Sequence, residues 1–64
     1  MNTRRDTMSK GKIETVRGPT VDVRFSIGHT PKVRNKLTVK GSGLELEVQQ
    51  QLGDNVVRTI PMDT

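Results

Sequence analysis

Acid–base, metal and phosphate chemistry each require particular side chains at particular spacings, and this chain offers few of them. His29 is the one imidazole, and nucleophilic catalysis needs a base beside its nucleophile. It sits in Gly-His-Thr-Pro, a loop context that reads as surface. With no Cys and no second His, a zinc site lacks ligands. Glu45 and Glu47 are two apart, so in a strand both point outward, as solubilising groups and not as an acid/base couple. Gly11-Lys12 is the nearest approach to a phosphate loop. It fails, because Ile13 stands where a Mg²⁺-binding hydroxyl belongs and Asp6 stands where the first glycine belongs. Neither catalytic, cofactor-binding nor metal-ligating residues are therefore expected in these 64 residues.

The elements that would position any site follow from composition and period. A chain of this size buries only about 60% of the surface its unfolded form exposes. Without cysteine it also has no disulfide to stiffen it. Apolar residues make up 30% and the only aromatic is Phe25, so the core must come from a well-formed sheet or from docking on a partner. No apolar run reaches the about 18 residues of a membrane span, and no signal-peptide core is present. The default expectation is a cytoplasmic or matrix-like location, with membrane association only through partners.

The formal charge of +4 divides evenly. Residues 1–10 carry Arg4, Arg5 and Lys10 against Asp6, and residues 11–64 carry eight basic against six acidic groups. A nucleic-acid reader usually clusters its basic groups on one face. The mixed signs here read instead as a solvated surface behind a basic tail.

Residues 1–10 are polar and aperiodic and read as a disordered arm. From Gly11 the period is two. Val21, Val23, Phe25 and Ile27 share one parity within Thr20–Ile27, which predicts a half-buried strand. Leu37 and Val39 repeat the pattern over Lys36–Lys40, and Gly41-Ser42-Gly43 supplies a turn. In Leu44–Leu52 the residues Leu44, Leu46, Val48 and Leu52 fall on one face. A helix there would expose Leu46 and be too short to hold without support, so a strand is expected. Gly53-Asp54-Asn55 forms a turn, and Val56–Met62 returns as a strand whose facing the parity leaves open. Gly11–Arg17 has a similar conflict, because Ile13 and Val16 differ in parity; a bulge reconciles such cases. With a loop over Gly28–Asn35, these strands predict an all-β fold, a small closed barrel.

The run LEVQQQLGDNVVRTI at Leu46–Ile60 closely resembles the N-terminal domain of F-type ATP synthase beta subunits. Gly11-Lys12-Ile13 with VRGPTVDVRF at Val16–Phe25 is similar to the opening of that family. Pro31-Lys32-Val33, Leu37-Thr38-Val39 and Ile60-Pro61-Met62-Asp63 resemble later segments, Pro61 replacing the usual Ala. Nearly all of residues 11–64 is covered, and Val16-Arg17-Gly18 with Val23-Arg24-Phe25 also resembles the N-type branch.

The resemblance implies a closed six-stranded antiparallel β-barrel over residues 11–64. Its role would be to form a crown ring with ATP synthase alpha subunits through neighbouring barrels. It further implies that ATP or ADP and Mg are bound by a nucleotide domain beyond Thr64. The intact subunit would make or hydrolyse ATP coupled to ion translocation, on the cytoplasmic face of the membrane but without direct membrane contact. Cut from such a subunit, the barrel would lack catalytic residues and could self-associate. The competing reading is a nucleic-acid-binding small barrel of OB or SH3-like type. Such barrels stack bases on exposed aromatics, and this chain has no Trp or Tyr.

Overall fold

The computed structural model describes residues 10–62, so the arm expected at residues 1–10 lies outside the described residues except for Lys10. Every regular element in it is a strand: β1 (Lys12–Arg17), β2 (Thr20–Arg24), β3 (Lys36–Thr38), β4 (Glu45–Gly53) and β5 (Val56–Pro61). They form one antiparallel sheet in the order β1-β2-β5-β4-β3. The all-β expectation holds, and Leu44–Leu52 is indeed strand and not helix over most of its length.

The closed six-stranded barrel is corrected on two counts. The described residues hold five strands, and no ladder joins β1 to β3. Open edges invite unwanted pairing, and each edge here carries a safeguard against it. On β1 the residues Lys12, Glu14 and Arg17 bring charge, and a register shift between Ile13 and Thr15 distorts the strand. At the other end β3 is only three residues long.

Val21, Val23, Phe25, Leu46, Val48 and Val57 form the core cluster, with Leu37 and Val39 packed against it. Strand pairing explains the set: Val23 lies opposite Val57, Val21 opposite Thr59, Val48 opposite Thr59, and Leu37 opposite Leu46. Directly opposed residues share a face of the sheet, so these side chains gather on one side of it. The open question over Val56–Met62 is thereby settled, with Val57 and Thr59 inward at 0% exposure. Thr59 stays polar in that core because its hydroxyl donates to the Val21 carbonyl at 2.8 Å, which offsets the cost of burying it.

Three residues expected inside are not. Ile27 is 83% exposed, because β2 ends at Arg24 and the chain turns at Ser26–His29, where Gly28 has a φ of +86°. Leu44 and Leu52 are also exposed. Leu44 precedes β4, while Leu52 follows a register shift between Val48 and Gln50. The extra residue in that bulge reverses the parity as far as Gln51, and Leu52 itself lies in a second register shift between Gln51 and Gly53. The third strand stops at Thr38, short of the expected Lys40. The turn between β4 and β5 is tight, with Asp54 and Asn55 at φ +59° and +65°, the double positive φ of a two-residue hairpin whose twist matches its strands.

Leu46→Asp removes a side chain that is 2% exposed and buries a charge in its place, costing on the order of 4 kcal/mol. A core of this size supplies roughly 3–5 kcal/mol in total. The variant is therefore expected to give an unfolded circular dichroism spectrum at room temperature, whereas Leu44→Asp should melt within a few degrees of the parent.

Candidate functional site

The groups that could do chemistry are dispersed. His29 lies in the turn after β2, whose backbone is closed by its N–H donating to the Ser26 carbonyl at 3.0 Å. Glu45 and Glu47 are on β4, opposite Thr38 and Lys36, on the face away from the core. Glu47 accepts a hydrogen bond from Gln49 at 3.1 Å. Among the described residues no three His, Cys, Asp or Glu side chains converge as a metal site would require.

Gly11, the start of the phosphate-loop lookalike, has a packing explanation. A Cβ there would fall 2.8 Å from Phe25 Cζ and 2.8 Å from Val23 Cγ1, closer than atoms tolerate, so the backbone crosses the Phe25 ring only as glycine. The crossing borders an open hollow of about 490 Å³ between Lys10, Lys12, Arg24 and Ser26. Phe25 at its base is only 7% exposed. It therefore presents no free ring face for base stacking, and the nucleic-acid reading loses its one aromatic.

Two arginines organise the outer face. Arg58 on β5 grips Asp22 on β2 with two parallel hydrogen bonds, Nε to Oδ1 at 3.0 Å and Nη2 to Oδ2 at 3.1 Å, and the two residues are register partners. The fork geometry matches the carboxylate plane. The hydrogen bond from Arg58 holds the Asp22 carboxyl below its ordinary 3.8, outweighing the opposing effect of its burial; the Arg58 and Arg17 charges act in the same downward direction. Arg24 reaches in two directions, to Glu14 Oε2 on β1 at 3.0 Å and to the Asp54 carbonyl at 3.1 Å. It thus fastens the edge strand β1 to the β4–β5 turn.

β1 holds the feature best suited to contact with another molecule. The bulge at Glu14 places Ile13 opposite Val23 and Val16 opposite Val21, so both aliphatics face the core side despite their differing parity. There they remain uncovered, Ile13 50% and Val16 65% exposed. An apolar face continues to an edge whose outer N–H and C=O groups meet no strand among the described residues. With strand addition disfavoured by the charges and the bulge, what this end of the sheet offers is apolar side-chain surface. The sequence flagged the conflict of parity here but could not locate the bulge. The Asp22–Arg58 and Glu14–Arg24 pairs went unseen because their partners are 36 and 10 residues apart and meet only through the strand register.

The family model described as the ATP synthase alpha/beta family, beta-barrel domain, matches residues 13–64. The match takes in all five strands, β1 from its second residue onward. The chain belongs to that family.

Because the Asp22 pKa is lower in the folded chain than its ordinary 3.8, the ion pair contributes fully above that value, and the contribution is lost as pH falls through the lower folded value. Asp22→Asn is expected to lower the urea midpoint at neutral pH. The gap between parent and variant should then close as the pH is taken below 3.8.

Proposed function

We propose that this domain is the N-terminal barrel of the catalytic beta subunit of an ATP synthase, and that it works as an assembly module. The observation that carries the reading is the family match, sharpened by the beta-type run at Leu46–Ile60 and by the absence from the sequence of any phosphate loop. Alpha and beta barrels would alternate around a ring, a heterologous contact that closes on itself. ATP, ADP and Mg²⁺ would be handled by a separate nucleotide domain of the subunit, with this domain holding neighbours at fixed spacing while the others open and close. Coupling to ion translocation belongs to the whole peripheral complex at the membrane.

The physical case is one of rigidity and unfinished surface. The β2–β5 and β4–β5 ladders resist shear, so a force applied at one edge is carried across the sheet. Ile13 and Val16 on β1 supply apolar contact that the isolated chain leaves in water. A neighbour binding only the folded state would add stability in proportion to the logarithm of its concentration over its Kd.

The test is to titrate the isotopically labelled chain with the alpha subunit of the same complex and follow the amide spectrum. Saturable broadening centred on β1 is expected, and Val16→Lys should abolish it. Because Val16 is exposed, that substitution should cost the isolated domain no more than about 0.5 kcal/mol. A spectrum unchanged by the alpha subunit at concentrations that saturate intact beta subunit would refute the assembly role.

A further inference from the structure

One stretch of the chain holds basic residues without any acidic ones. Between Phe25 and Leu44 the sequence holds Lys32, Arg34, Lys36 and Lys40 and no acidic residue, while the remaining residues hold seven basic and seven acidic groups. Loop 26–35, β3 and the turn after it thus form the longest stretch of positive charge with no acidic residue in it. None of the four makes an ion pair among the described residues, where both ion pairs belong to Arg24 and Arg58. Glu47, opposite Lys36 on β4, and Glu45 beside it are the nearest acidic groups along the sheet.

The loop carrying this charge is held in one shape. Arg34 N–H donates to the Val48 carbonyl at 2.7 Å, and Val48 N–H donates to the Asn35 carbonyl at 2.9 Å. Gln51 Nε2 donates to the Pro31 carbonyl at 2.8 Å. Between these ties Arg34 has a φ of +82°, a left-handed conformation that a long side chain adopts only when its surroundings impose it. A chain that fixes an arginine in a costly conformation also fixes where its guanidinium stem departs. The same loop turns Ile27 and Val33 to solvent, 83% and 47% exposed. Val33 and Arg34 form one wall of a hollow of about 270 Å³ against Glu47, Val48 and Gln49, so Glu47 is the one acidic group that an incoming carboxylate meets there.

We propose that loop 26–35 with β3 is a preformed docking surface for an acidic protein segment, one that sets an aliphatic side chain beside Val33 and carboxylates against Lys32, Arg34 and Lys36. Charge complementarity selects an acidic partner. The exposed aliphatics favour protein over nucleic acid, because Phe25, the one Phe, Tyr or Trp of the sequence, is buried and His29 is the only ring this loop offers for stacking a base. Two isolated aliphatics also bury too little to anchor in a bilayer. Preorganisation is what converts this exposed loop into a surface, since a loop ordered before binding has less entropy to lose.

The experiment is a titration of the labelled chain with four probes. These are a soluble peptide of alternating glutamate and leucine-bearing turns, the same peptide with serine for leucine, a single-stranded oligonucleotide, and vesicles of phosphatidylserine and phosphatidylcholine. Saturable shifts confined to residues 27–36 with the leucine peptide are expected, weakening as salt is added. The serine peptide, Val33→Ser and Arg34→Gly should each weaken binding on the order of tenfold. Arg34→Gly keeps the positive φ at no steric cost, so a folded spectrum is expected to accompany its lost affinity. Equal binding of the leucine and serine peptides, tighter binding of the oligonucleotide or of vesicles, or shifts centred on β1 would each overturn the proposal.

Discussion

The sheet depends on one non-local ladder. β1 and β2 form a hairpin, and β3, β4 and β5 follow one another as a meander. Among the described residues the β2–β5 ladder is the one strand pairing that joins these two local units, and it does so across more than thirty residues of chain. Side chains reinforce that seam on both faces. Asp22 and Arg58 clasp it outside, and the Thr59 hydroxyl reaches the Val21 carbonyl inside. Loop closure makes such a contact entropically costly, and a thin core cannot carry the cost by apolar burial alone. The two polar links stand where that deficit is greatest.

The sequence was informative wherever period and burial coincide. Val21, Val23 and Phe25 were readable because β2 is regular, and the choice of strand over helix for the β4 segment rested on Leu46, which is buried. The β4–β5 turn was legible from Gly53-Asp54-Asn55 alone. What escaped were the places where an extra residue resets the alternation. Nothing in the residue types of Gln49 or Glu14 announces a bulge, so parity alone puts Leu52 inside, and the bulge that reconciles Ile13 with Val16 has no position in the sequence. Strand ends were similarly opaque, since Ile27 continues the alternation of β2 after the backbone has left it. Closure is a property of how the first and last strands of the sheet meet, which neither strand pattern nor motif encodes, and among the described residues β1 and β3 do not pair.

The surface divides by kind of contact. On the β1 side, uncovered aliphatics continue the core face to an unpaired edge, suited to a neighbour that covers them. On the β3 side, a strapped loop concentrates positive charge beside two exposed aliphatics, suited to a partner recognised by side chains. The two lie at opposite ends of the strand order, an arrangement that lets one rigid body meet two different neighbours. The chain's membership in the ATP synthase alpha/beta family accords with the ring proposed above, in which such a two-ended layout would be used.

The position of β5 bears on how such a chain is made. The middle strand of the sheet is the last to be synthesised, so a ribosome releases the β1–β2 hairpin, with Val21, Val23 and Phe25 still uncovered, long before the residues that shield them. A hairpin alone is marginal in water, so the first two strands gain a lasting partner only once β5 is in place.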